Sequence, residues 1–150
     1  MRRSLLISLL LLALGAVPAD GAARELWATV NVCDTAAHPD EIGIRAALPA
    51  ARRPRAGVRF RVQYREAASG RWRWVQAADS GWRRARRARE SGWSFEVAGE
   101  GTRILRGVVN YHWKRNGVVV RRARRVTELG HRSTAGADPA DFSAATCRIR

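Results

Sequence analysis

Lysine is almost missing from this chain. Of 28 Lys and Arg residues only Lys114 is a lysine, and the basic residues outnumber 13 acids, for a formal net charge of +15. Cysteine is scarce too: Cys33 and Cys147 are the two present. Their spacing excludes a C-x-x-C redox pair and a Cys-rich zinc site. The three histidines, His38, His112 and His131, include no pair at H-x-x-x-H spacing, so a histidine metal site has no sequence support. G-x-S-x-G, H-E-x-x-H and a Gly-rich phosphate loop are all missing. An enzyme is therefore not expected, and no cofactor is implied. No helix-turn-helix, zinc-finger or ribonucleoprotein signature appears, which removes sequence-specific nucleic-acid recognition.

Long apolar runs occur once, at the N-terminus. Arg2 and Arg3 precede Leu5 to Val17, an almost unbroken apolar stretch, and Val17 and Ala19 occupy the −3 and −1 positions of a cleavage site. That is the layout of a secretory signal peptide, too short for a membrane span of about 20 apolar residues. Residues 1–23 are assigned to the signal segment and 24–150 to one domain. The protein is expected to be secreted, with no membrane anchor after cleavage. Cleavage after Ala19 leaves 131 residues and removes two arginines and no acid, so the charge falls from +15 to +13. Cys33 lies too far downstream to be a lipobox cysteine, and the three residues after Cys147 leave no room for a wall-sorting tail. In an exported chain two cysteines near the two ends read as one disulfide, against the alternative of two free thiols. Loop entropy then contributes about 5 kcal/mol as an upper figure.

The remainder reads as strands. Val58, Phe60, Val62 and Tyr64 alternate with Arg59, Arg61, Gln63 and Arg65, a half-buried strand with a wet side. Ser69-Gly70 makes a turn into Arg71–Gln76. Trp93, Phe95 and Val97 alternate, as do Val109, Tyr111 and Trp113 in the longer Leu105–Trp113. Asn116-Gly117 tolerates positive φ at both central positions of a tight hairpin, pairing Leu105–Trp113 with Val118–Val126. A simple two-residue turn sets Val120 beside Trp113 and Arg122 beside Tyr111; a one-residue bulge swaps the faces, and both registers stay open. Leu26–Val32, Glu41–Leu48 and Ala144–Ile149 complete about eight segments. Pro49–Gly57 and Gly130–Asp141 read as loops, and Trp82–Glu90 has room for one or two helical turns. The expected fold is all-β, an antiparallel immunoglobulin-like β-sandwich of about 7–8 short strands closed by one disulfide. Asp79-Ser80-Gly81-Trp82 and Glu90-Ser91-Gly92-Trp93 echo one another as two strand starts.

Trp27-Ala28-Thr29-Val30-Asn31-Val32-Cys33-Asp34, Ile104-Leu105-Arg106-Gly107-Val108-Val109, Gly130-His131-Arg132-Ser133 and Phe142-Ser143-Ala144-Ala145-Thr146-Cys147 carry a resemblance. The chain resembles uncharacterised exported proteins of high-GC bacteria with an immunoglobulin-like or fibronectin-III-like sandwich. The resemblance spans most of the segment after the signal peptide. It implies the fold and the disulfide, and no activity or catalytic residue. One departure is visible: the cysteines tie the first strand to the last rather than two central strands.

Two features bear on ligands. Arg83-Arg84-Ala85-Arg86-Arg87 and Arg121-Arg122-Ala123-Arg124-Arg125 spell the same five letters. Arginine forks match phosphate and carboxylate geometry. Arg83, Arg84, Arg86, Arg87, Arg121, Arg122, Arg124 and Arg125 are therefore the candidate contacts for an anionic cell-envelope polymer or another polyanion. The competing readings are a solvated surface and a GC-rich genome, which favours arginine codons. Six tryptophans are the second feature. Trp72 and Trp74 share a face, as a carbohydrate-binding platform requires; the bland alternative is tryptophans in the core or under arginine side chains.

Overall fold

The computed structural model describes residues 25–49, 55–85, 88–97, 99 and 101–150. Residues 1–23, read from the sequence as a signal segment, lie outside them, as do Arg86 and Arg87. The described residues form nine strands: β1 (Ala28–Thr35), β2 (His38–Ala47), β3 (Arg55–Arg65), β4 (Trp72–Asp79), β5 (Arg83–Arg84), β6 (Glu90–Glu96), β7 (Arg103–Arg115), β8 (Val118–Val126) and β9 (Cys147–Ile149). They form two antiparallel sheets. The smaller runs β1-β2-β6; the larger runs β4-β3-β7-β8, with β5 also on β3 and β9 also on β7. No helix occurs among the described residues.

One hydrophobic core joins the sheets. Ala28, Val30, Ile42, Ile44, Ala46 and Phe95 from the small sheet meet Val58, Phe60, Val62, Leu105, Val109, Tyr111, Trp113 and Ile149 from the large one. These are the apolar halves of alternating strands. The Tyr111 hydroxyl crosses the core to donate to the Ala47 carbonyl at 2.9 Å. Burial pushes its pKa well up.

The Asn116-Gly117 turn takes φ of 50° and 82°. These positive angles fit the tight hairpin and its twist. The register is the bulged one: Arg115 pairs with Val118 and Lys114 with Val119, then Val120 is skipped and Trp113 pairs with Arg121, Tyr111 with Ala123. The bulge has a clear consequence. Tyr111 is 1% exposed, and a directly opposite arginine would have to lose its hydration there; the small Ala123 sits there instead.

Cys33 and Cys147 are bonded, with Cα atoms 5.3 Å apart. The bond links β1 of the small sheet to β9 of the large one. Between β8 and β9 the chain leaves the large sheet and crosses β1, where Ala144 bridges Val30 and Asp138 bridges Val32.

Three local expectations differ from the structure. Arg55 to Gly57 belong to β3 rather than to the preceding loop, because they continue its pairing with β7 out to Lys114. Trp82–Glu90 makes no helical turn among its described residues; Arg83 and Arg84 pair with Val58 and Gly57. The last strand begins at Cys147, with Ala144 held by its single bridge.

Candidate functional site

Direct cross-strand partners in an antiparallel sheet share a face. On the large sheet this puts Trp74, Gln63 and Arg106 in one row; Asp79, Arg61, Val108 and Val126 in the next; then Arg59, Asn110 and Arg124; then Arg84, Gly57, His112 and Arg122. All point away from the shared core, since Phe60, Val62 and Tyr111 hold the alternate positions. The result is a cationic outer face: Arg59, Arg61, Arg84, Arg106, Arg122 and Arg124 against one carboxylate, Asp79.

The side chains of this face brace one another. The Arg61 guanidinium lies 3.6 Å from the Trp74 ring centre and that of Arg106 lies 4.0 Å from Trp72. Arg106 Nε donates to Gln63 Oε1 at 3.0 Å. Arg59 donates to both oxygens of Asp79, from Nε at 2.7 Å to Oδ1 and from its second nitrogen to Oδ2. Arg61 Nε lies 3.5 Å from Oδ2. The Arg59 hydrogen bonds hold the Asp79 carboxyl below its usual range. Burial, with Arg124 nearby, pushes the Arg106 pKa down; a guanidinium stays charged at neutral pH regardless. The tryptophan platform is thus covered on the side where arginines stack. Trp72 and Trp74 support guanidinium groups rather than standing as bare rings.

Strand alternation divides the arginine pentapeptides. In β8, Arg122 and Arg124 join the outer face beside His112 and Asn110. Arg121 and Arg125 take the opposite side: Arg121 lies 4.6 Å over Trp113, and Arg125 Nε donates to the Leu26 carbonyl at 2.7 Å. In the other cluster Arg84 joins the outer face, whereas Arg83 lies 4.1 Å over the Trp93 ring. The letters repeat, but among the described residues neither block places its adjacent arginines on one face. Sequence reasoning missed Arg59, Arg61 and Arg106 as members of the array. Their signal was available in the wet side of the Val58–Arg65 alternation.

At the hairpin end, the outer face deepens into an open cleft of about 840 Å³, lined by Arg55, Gly57, Trp82, Arg84, His112, Lys114 and Arg115 among others. Gly57 makes it possible. A Cβ there would sit 2.5 Å from His112 Nε2, so only glycine lets the imidazole lie against β3. Trp82 covers the ring from another side, with ring centres 4.0 Å apart at 46°. Burial, with Lys114 and Arg122, lowers the His112 pKa.

The other histidines are occupied elsewhere. His38 Nδ1 is 3.2 Å from Glu41 Oε2. His131 bonds Glu128 at 3.1 Å and stacks on Trp27, with ring centres 4.4 Å apart. Ser133 Oγ donates to Asp141 at 2.8 Å. Among the described residues no three His, Cys, Asp or Glu side chains are grouped to hold a metal, and no helix is long and apolar enough to cross a membrane. Comparison with known proteins finds no matching family model, no matching curated protein and no matching solved structure.

Proposed function

We propose that this chain is an exported, non-enzymatic binding protein that associates with an anionic extracellular polymer, such as a cell-envelope polymer, through the outer face of its large sheet. The observation that carries this reading is the gathering of six arginines from β3, β5, β7 and β8 on one face with one carboxylate among them. Guanidinium groups held by tryptophan rings and by Gln63 lose less conformational freedom when an oxyanion docks. The fold proposed with this function is an immunoglobulin-like or fibronectin-III-like sandwich. The three-stranded β1-β2-β6 sheet facing the larger sheet supports that class. Export is supported by the N-terminal apolar run and is compatible with the Cys33–Cys147 bond, since such bonds persist in oxidising compartments.

The test is binding of the oxidised domain to purified anionic and neutral envelope polymers over a salt series. The reading expects binding to the anionic polymers alone, with log K falling linearly in log salt through counterion release. Salt-insensitive binding to a neutral glycan, or no binding to any polyanion, would overturn it.

A further inference from the structure

The end cleft has a composition that the general basic face does not require. Arg55, Arg83, Arg84, Lys114 and Arg115 line it, and among the described residues no carboxylate does. Among the described residues, Arg55, Arg84, Lys114 and Arg115 have no ion-pair partner; every carboxylate paired on the large sheet is Asp79 or Glu66. Cations converging without a counter-charge repel one another, and a multiply charged anion relieves that repulsion. The cleft also holds an aromatic surface. Trp82 is 47% exposed while the His112 imidazole beneath it is pinned against Gly57, so the indole is seated and still open to a ligand. The His112 imidazole makes no side-chain hydrogen bond among the described residues, and Nε2 is the nitrogen packed against Gly57; in its neutral form the ring has one N–H to donate.

We propose that this cleft is a binding site for a phosphate monoester carried on a ring, the phosphate lying among Arg55, Arg84, Lys114 and Arg115 and the ring stacking on Trp82. A phosphate monoester brings a charge of about −1.5 to −2 and three acceptor oxygens, which suits a cluster of this size better than a single carboxylate does. Bases and sugar rings both stack on an exposed indole, so the shared chemistry is the phosphate with its attached ring. A volume of about 840 Å³ lies within the range of small-molecule sites and accepts a sugar phosphate or a mononucleotide. The inference deepens the polymer reading by naming the group that the hairpin end of the face takes, and it is separable from it because a free phosphate ester needs no polymer.

The experiment is titration of the oxidised domain at low salt with glucose 1-phosphate, AMP, glucuronate, glucose and inorganic phosphate, read by calorimetry and tryptophan emission. At least one phosphate ester binds ten-fold or more tightly than glucuronate and inorganic phosphate, with a change in emission, and glucose does not bind. A preference for AMP or for glucose 1-phosphate identifies the ring. Lys114→Gln/Arg115→Gln weakens the phosphate ester at least ten-fold. Trp82→Ala brings it down to the level of inorganic phosphate, and Arg121→Gln/Arg125→Gln leaves it unchanged. Equal binding of glucuronate and both phosphate esters, equal binding of inorganic phosphate, or indifference to Lys114→Gln/Arg115→Gln would overturn the assignment. Phosphate-ester binding without polymer binding removes the polymer reading alone; polymer binding without phosphate-ester binding removes the cleft alone.

Discussion

The two sheets treat their outer sides differently. On β1 the outward residues are Thr29 and Asn31, and both are buried. The segment after β8 covers them: Thr29 Oγ1 lies 2.8 Å from Ser143 Oγ, and Asn31 Nδ2 donates to the Gly136 carbonyl at 3.0 Å. On β3 and β8 the outward residues are largely arginines and β7 adds Arg106; these arginines face solvent or half-face it, while the outward Gln63 and Val108 are buried between them. A hydroxyl and an amide find all their hydrogen bonds within a protein; an unpaired guanidinium does not, and burying it is costly. One side is thus closed by the chain itself, and the other is left open with its charge. The open side is where a ligand is to be sought.

The largest effect should come from unfastening the closed side. Cys33→Ser/Cys147→Ser removes the link between β1 and β9, and denaturant unfolding is expected to show a loss of about 2–5 kcal/mol. A loss below about 1 kcal/mol would mean that the crossing segment seals β1 without the bond. Asn31→Ala should follow, at about 1–2 kcal/mol, because the hydrogen bond from the buried Asn31 amide to the Gly136 carbonyl is lost. On the open side the same measurement should barely respond. Arg122→Gln/Arg124→Gln is expected to shift stability by no more than about 0.5 kcal/mol; a larger loss would make these arginines structural and blur the contrast.

The smallest expected effect concerns His112, on the open side. Its pKa in the folded chain is lowered from 6.5, first by burial and then by Lys114 and Arg122. The unfolded chain therefore binds the proton more readily. Stability is complete above about pH 6.5 and declines as pH falls below it toward the folded pKa. His112→Gln should flatten that part of a pH series of denaturant midpoints. An unchanged slope would place the pH dependence on other groups.

Much of the architecture was legible because period-2 alternation records which side of a strand is dry. Val58 to Tyr64 displayed both faces of β3 directly, and Asn116-Gly117 located the β7–β8 hairpin. The register past that turn was not legible: the bulge at Val120 depends on what packs beside Tyr111, a tertiary matter. The same bulge decided which arginines of 121–125 face outward, so the pentapeptide could be seen but not divided. β5 was hidden because two residues are too few for a period. The cleft was hidden for another reason. Gly57, Trp82 and the His112–Lys114 stretch come from three separate parts of the chain and meet only through the pairing of β3 with β5 and β7. The cover over β1 was equally unreadable, since nothing in Gly130–Asp141 announces which strand it will cross.

The most direct test of the open-face account is the slope of log K against log salt for an anionic envelope polymer, compared between two double variants of one strand. Arg122→Gln/Arg124→Gln removes two outward charges, and Arg121→Gln/Arg125→Gln removes the same charge from the opposite side. The account predicts that the first variant lowers the slope by about 1.5–2 and weakens binding at least ten-fold, while the second stays close to the unmodified protein. Equal slopes for the two variants would show that the polymer reads total charge and not this face, and would contradict the account.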